Sequence, residues 1–390
     1  MKRDQHPPNR PLRVLHVGNG RAFKIRAIIE GLSARGHEIH MVPVPPISPT
    51  FAGAVWHCLP ASPLPGRFGT LHRFFQLRSL ARRLRPDVIH AHNAWGPGWL
   101  AAATGLHPLV IHAYGGDILP EQYRGRPALQ RFLTSWACRS ADRVIVTGRH
   151  MQGAARHLHL RSDRVTVLPR GVDLKRYRPG LDAIALRAEL GLGDAWPVIL
   201  SPRYQVDEDL YNLDVVLEAF AELRTQFPRA VCLQLCDVAR RAGCERLRSL
   251  AAARGLGASY RLEPSVDNTN MPLFYNLADV VVSVPSSDGF PVTVLEASAC
   301  ACALVVSDLP YCKEWFVPRE NGLIVPKRDR AALTRALEEL CADHELRRRL
   351  GVAARSVVVE RADYERCMDE LQALYLDLLG RTDAHQPQAI

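Results

Sequence analysis

At 390 residues the chain is longer than a single hydrophobic core usually grows, so two domains are expected. Its 47% hydrophobic and 23% charged residues are a globular composition and exclude a disordered or collagen-like chain. No apolar run reaches the ~18–20 residues that span a bilayer.

The net charge of +10 is uneven, with 24 Lys and Arg against 8 Asp and Glu in residues 1–170 and 26 against 32 in residues 171–390. A basic first half suits an acidic acceptor, an anionic membrane surface or nucleic acid, or is simply a solvated basic face. Ten cysteines without a CxxC pair read as reduced thiols rather than disulfides or a zinc site. The polar opening MKRDQHPPNRP has no apolar signal-peptide core, so a cytoplasmic location is expected.

The chain opens with a strand at Leu12–Val17, a glycine turn at Gly18–Phe23, a helix ending at Arg35–Glu38, and a second strand at Ile39–Val44. That is how a doubly wound α/β domain begins. Pro43–Pro65 reads as irregular. Gly66–Arg85 reads as a basic helix carrying Leu71, Phe74, Phe75 and Leu77, either lying on an anionic membrane or packing its apolar face inward. Strands follow at Pro86–His92, at Leu109–Leu119 with a loop at Ala113–Asp117, at Ala141–Thr147 and at Arg164–Pro169. His90 and His92 are structural or acceptor-side.

A second alternation opens with the strand Pro197–Tyr204, whose end carries Arg203, and continues through Ala230–Leu235 and Ser259–Leu262 to the helix Met271–Ala278. Val280–Val284 is an apolar strand, Pro285–Gly289 a polar turn, and a helix starts near Pro291, with Ser287 or Asp288 as its cap. A helix start at the carboxyl end of a strand offers free N–H groups and a positive dipole end to a phosphate. Glu296 lies roughly 7–8 Å further along that helix, at ~1.5 Å per residue, so Asp288 and Glu296 could grip two ends of one extended ligand. Helices at Arg330–Ala342 and Glu345–Leu350 and a terminal helix at Tyr364–Leu379 complete the pattern.

The stretch DGFPVTVLEASAC (Asp288–Cys300), followed by LVVSDLP and by EWFVPRENGLIVP (Glu314–Pro326), resembles the donor signature of family 4 glycosyltransferases. These are retaining enzymes of the GT-B fold. RGVDLKRYRP (Arg170–Pro179) resembles the family's hinge segment, with Arg170 where an Asn is usual. The resemblance implies an α/β GT-B chain, two Rossmann-like doubly wound domains facing a central cleft. Residues 1–172 would be the acceptor domain, rejoined by a C-terminal helix at 364–390, and 173–363 the donor domain.

The resemblance also implies roles. Glu296 would hold the ribose hydroxyls, and Asp288 with the Gly289, Phe290 and Pro291 backbone the sugar hydroxyls. In the donor segment Val292–Val294, the Thr293 and Val294 amides with Arg203 would stabilise phosphate. Arg261 and Leu262 would lie where backbone groups hold the base, and Gly18 and Gly20 would let donor phosphate or acceptor approach the backbone. His112 would touch the transferred sugar, with Tyr114 and Asp117 on the acceptor side. Three positions depart from the pattern: Asp288 stands for the first glutamate, Cys302 for a glycine, and the lysine expected shortly after Arg203 is missing.

The expected reaction moves a hexose-type sugar from a nucleotide diphosphate, UDP foremost, to an acceptor sugar, lipid-linked glycan or small natural product. No cofactor beyond the nucleotide-sugar co-substrate and no obligatory metal are expected. The string Asp207-Glu208-Asp209 offers a metal alternative of the DxD type. Other readings are a sugar-nucleotide epimerase or phosphorylase on the same fold, and a basic nucleic-acid binder. No helix-turn-helix, zinc or aromatic RNA motif directs the basic half to nucleic acid.

Overall fold

The structure is a computed structural model that describes residues 10–60, 66–119, 127–206 and 209–383. The chain divides into two compact units: the first runs to Pro169 and resumes at Glu365, and the second is Arg170–Tyr364.

In the first unit the strands are β1 (Arg13–Gly18), β2 (Glu38–Pro43), β3 (Val55–Trp56), β4 (Val88–His92), β5 (Leu109–Ala113), β6 (Arg143–Val146) and β7 (Val165–Val167). The main helices among them are α1 (Phe23–Ala34), α2 (Gly66–Leu84), α3 (Trp99–Ala103), α4 (Pro127–Ser140) and α5 (His150–His157). All seven strands pair in parallel, in the order β3-β2-β1-β4-β5-β6-β7. The order reverses between β1 and β4, the switch point of a doubly wound sheet.

Successive strand side chains point to opposite faces, and that alternation sorts the first sheet. Leu15 and Val17 of β1, Ile89 and Ala91 of β4, and Leu109, Ile111 and Ala113 of β5 enter one apolar core. The alternate positions at the centre of the other face are histidines: His16, His90, His92 and His112, all buried.

The second unit contains α6 (Ile184–Glu189), β8 (Val198–Ser201), α7 (Leu213–Leu223), β9 (Val231–Cys236), α8 (Arg241–Ala253), β10 (Tyr260–Pro264), α9 (Met271–Leu277) and β11 (Val280–Ser283). After these come α10 (Val292–Ala299), β12 (Ala303–Ser307), α11 (Cys312–Trp315), β13 (Leu323–Val325), α12 (Arg330–Ala342) and α13 (His344–Arg361). The sheet order is β10-β9-β8-β11-β12-β13, again all parallel. Both faces are covered, because Leu200, Val281 and Leu304 enter one core while Ile199, Val280, Val282 and Val305 enter another. Near-continuous Val/Ile/Leu strands are what a sheet covered on both faces requires.

The last helix, α14 (Tyr364–Asp383), lies in the first unit from Glu365 onward. Its Met368, Leu371, Tyr375 and Leu378 are buried, and Arg35 of α1 meets Glu365 at 2.7 Å and Asp369 at 2.9 Å.

Several local expectations change. The Pro43–Pro65 stretch contains the short strand β3. Helix α13 continues to Arg361 rather than stopping near Leu350, and within it Gly351 lies where any Cβ would overlap the Ala301 carbonyl. In the hinge-like segment Gly171 lies against the Tyr364 backbone, with Val172 and Asp363 bridged. Asp173 accepts the Lys175 and Arg176 amides at 3.0 and 3.1 Å. On α2, Leu77 is buried while Leu71 and Phe75 are exposed, and α4 exposes Leu129, Phe132 and Trp136. No helix of the described residues is long and apolar enough to cross a membrane. All ten cysteines are free thiols, and only Cys58 is exposed.

Candidate functional site

The second sheet's order reverses between β8 and β11, so the loops leaving those two strands part there and open a place for a ligand. The structure brings Arg203 and Asp288 together at this point. Arg203 follows β8 and donates to Asp288 at 2.9 Å and to the Ser283 hydroxyl, at the end of β11, at 3.1 and 3.2 Å. Both charged side chains are largely buried, 12% and 18% exposed. Burial disfavours the Arg203 charge, but Asp288, Tyr211 and Tyr311 together more than offset it and raise the guanidinium pKa. The Tyr211 ring lies 5.0 Å from the guanidinium carbon.

Asp288 is therefore an ion-pair partner and not a helix cap. The N-cap of α10 is Pro291 in extended conformation, and no side chain caps it. The expectation of a Ser287 or Asp288 cap, with proline at the first helical position, is corrected accordingly. The residues after the cap, Val292 and Thr293, are half-buried, and the Thr293 hydroxyl finds no partner among the described residues. The Phe290 side chain turns into the core, stacked on Trp315 at 4.6 Å between centroids, which leaves Gly289 and the Phe290 backbone to the turn. The buried Asn212 ties the neighbouring loop to this turn, donating to the Val284 carbonyl at 2.8 Å and accepting from Ser286 at 3.1 Å and Arg328 at 3.0 Å. Asp207 and Glu208 of the acidic string lie outside the described residues.

Glu296, expected to be an open ligand-gripping carboxylate, is 5% exposed and accepts from the Tyr275 hydroxyl of α9 at 3.0 Å. Burial pushes its pKa up to about 7, against the lowering effect of Tyr275, Arg170 and Tyr177. Ala299 and Cys300, a turn further along the same helix face, belong to the apolar core, whereas Val292 and Thr293, a turn before it, are half-buried, so Glu296 sits where that face passes from the core to the turn. Arg261 and Leu262 sit mid-strand on β10, the sheet edge, three strand spacings or about 14 Å from β11. The Arg261 side chain turns to Glu263 at 2.8 Å and to the Leu190 carbonyl.

In the first unit the space beside Gly18 and Gly20 is taken by the protein itself. A Cβ on Gly18 would stand 2.8 Å from Ile25 and 2.9 Å from His92, and one on Gly20 would stand 2.7 Å from the Trp56 ring. Their smallness is used by the protein's own packing. Asp117, expected on the acceptor side, accepts the amides of Ala94 at 2.7 Å and of Tyr114 and Gly115 at 3.0 Å each. It shapes the loop after β5 from within. Tyr114 sits half-buried, its ring stacked on His112 at 4.3 Å, its hydroxyl 2.8 Å from His92 Nδ1 and the Lys24 ammonium 3.7 Å above it.

Residues the sequence did not single out include Ser283, Tyr275 and Tyr177 around the carboxylates, and His16 beside His90 and His92. The period-two spacing of His90 and His92 puts both on one face of β4, but only the β1–β4 register brings His16 opposite His90. Burial lowers the pKa of His16 to about 3 and those of His90 and His92 well below the usual histidine value.

Two family models match. Glycosyltransferase Family 4 covers residues 22–176, and Glycosyl transferases group 1 covers residues 197–357. A D-inositol 3-phosphate glycosyltransferase of Streptomyces bingchenggensis is 29% identical over 283 residues, which are 69% of this chain and 62% of that protein. The enzyme of that name from Nocardia farcinica is 29% identical over 71% of this chain and 64% of its own length. The chain thus aligns with less than two thirds of these relatives. Among solved structures, sucrose-phosphate synthase from Thermosynechococcus elongatus superposes with a TM-score of 0.78 at 20% identity, over 95% of this chain and 100% of that one. Anabaena HepE in complex with UDP and glucose gives 0.81 at 15% identity, over 93% and 99%. At such identities these two likenesses concern the fold.

Proposed function

Because the chain belongs to the family 4 glycosyltransferases of the GT-B fold, we propose that it transfers a hexose-type sugar, with retention, from a nucleotide diphosphate to an acceptor hydroxyl. The donor proposed is a UDP-sugar, the nucleotide bound in the HepE complex. The observation that carries the reading is the Arg203–Asp288–Ser283 group beside an uncapped helix start at the sheet's switch point.

In this reading Arg203 and the amides of Val292–Val294 neutralise the charge that builds on the diphosphate as the bond from the sugar C1 to phosphate oxygen breaks. Asp288 and the Gly289–Pro291 backbone hold the sugar hydroxyls. The acceptor oxygen bonds to C1 from the same face, and its proton passes to the departing phosphate oxygen, so no side-chain base is needed. Catalysis is then mostly positioning and leaving-group stabilisation. Glu296 takes the ribose hydroxyls with the acceptor capacity that its tyrosine neighbours leave free, and the β10 backbone at Arg261 and Leu262 takes the base.

In the first unit, the acceptor side, Asp117 positions the Tyr114–Gly115 backbone beside His112. The relatives' name makes D-inositol 3-phosphate the first acceptor to try, and a phosphorylated acceptor suits the basic first half. A cytoplasmic protein in peripheral contact with anionic lipid is also proposed, through exposed Leu71 and Phe75 on α2 and Phe132 and Trp136 on α4. Co-sedimentation with anionic vesicles, reduced in Phe132→Glu, is the outcome expected there.

The reaction is tested by incubating the protein with UDP- and GDP-sugars, with and without acceptor, and measuring free nucleotide and the anomeric configuration of the product by NMR. Acceptor-dependent UDP release with an unchanged anomer is the expected result. Release that needs inorganic phosphate, or a changed sugar without an acceptor, points to the phosphorylase or epimerase reading instead.

A further inference from the structure

We propose that His16, His90 and His92 form a zinc site inside the first unit. His16 of β1 and His90 of β4 are register partners, and His92 follows two residues on, on the same face. All three are fully buried, and one ring nitrogen from each lies within 4.8 Å of the others.

The hydrogen bonds aim the rings. His90 Nδ1 lies 2.5 Å from the Tyr375 hydroxyl, and His92 Nδ1 lies 2.8 Å from the Tyr114 hydroxyl. Each Nδ1–H can donate outward, which leaves Nε2 as the lone-pair nitrogen. Histidines that bind a metal typically donate their other ring N–H in this way, and the partner fixes tautomer and orientation. Two of the three nitrogens are already paired, His16 Nδ1–H donating to His92 Nε2 at 2.9 Å, so an ion bound there would take the place of that proton, which shifts to His16 Nε2; His16 Nε2 and His90 Nε2 have no hydrogen-bond partner among the described residues. A buried nitrogen of that kind costs free energy unless something satisfies it.

Zinc bonds imidazole nitrogen at 2.0–2.1 Å, so neighbouring ligands in a tetrahedral site lie about 3.3 Å apart. The three nitrogens, now up to 4.8 Å apart, would close by up to about 1.5 Å to reach that spacing. Three imidazoles without a carboxylate or thiolate suit zinc rather than magnesium or calcium, and a solvent oxygen would fill the fourth position. Bound there, the ion would join β1 to β4 and, through Tyr375, to α14. The site is independent of any metal on the donor diphosphate.

The test uses full-length protein without a histidine tag. Metal analysis after dialysis should find about one zinc per chain, and cobalt(II) added to zinc-stripped protein should give the intense visible bands of a tetrahedral nitrogen site. His90→Gln should lose both signals, and Tyr375→Phe should weaken zinc binding by 10- to 100-fold in competition with a chelating dye. Zinc-free wild-type protein that gives no cobalt bands, or undiminished zinc binding in folded His90→Gln protein, would overturn the assignment. The cobalt spectrum of the wild type decides the matter even if His90→Gln does not fold.

Discussion

Glu296 is a carboxylate held in the interior by two tyrosines, and its pKa of about 7 against an ordinary 4.5 ties the donor helix to pH. Between pH 4.5 and 7 the folded protein keeps a proton that the unfolded chain has released, so stability falls as pH rises through that window. Above it the ionised group costs about 3 kcal/mol relative to an unperturbed glutamate, at 1.36 kcal/mol per unit. Glu296→Gln should therefore raise the melting temperature at pH 8 and change it little at pH 4.5, as read by scanning calorimetry. Nucleotide affinity should move the other way in the wild type, strengthening as pH rises through 7 because ribose hydroxyls donate best to an ionised acceptor. In Glu296→Gln that pH dependence should vanish; a wild-type affinity flat from pH 6 to 8 would remove Glu296 from the nucleotide site.

At the scale of elements, close backbone approaches decide where helices lie. Gly351 lets α13 rest on the Ala301 carbonyl, and Gly351→Ala should cost about 1–3 kcal/mol by overpacking, measured by urea unfolding. Sequence alone ends that helix at Leu350, before the glycine, and only the neighbouring β12 connection shows why a glycine stands inside it. Strands β1, β4, β8 and β11 were legible, because apolar runs bounded by glycine and proline signal buried parallel strands. The donor turn was legible as a turn, whereas its cap was not. Asp288 looks like a capping residue until Arg203, 85 positions away in sequence, takes its carboxylate. The glycines of the first turn suggest an opening for a ligand from sequence alone, but the room a side chain would need beside them is filled by Ile25, His92 and Trp56, none adjacent in sequence.

At the scale of the molecule, the last helix completes the unit that the first residues begin. Besides Cys367, the larger side chains Met368, Leu371, Leu374, Tyr375 and Leu378 of α14 are buried. At roughly 1.5–3 kcal/mol each, their loss rivals the 5–15 kcal/mol that holds a domain together. A chain ending at residue 364 should lose the cooperative unfolding of the first unit while the second still melts, seen as the loss of one of two calorimetric transitions. The account as a whole depends on the second unit recognising a nucleotide diphosphate through Arg203. Titration calorimetry with UDP tests that most directly: it should give one site per chain in the wild type and at least tenfold weaker binding in Arg203→Ala, whereas equal affinity in the two proteins, or no binding of UDP or GDP at all, would contradict it.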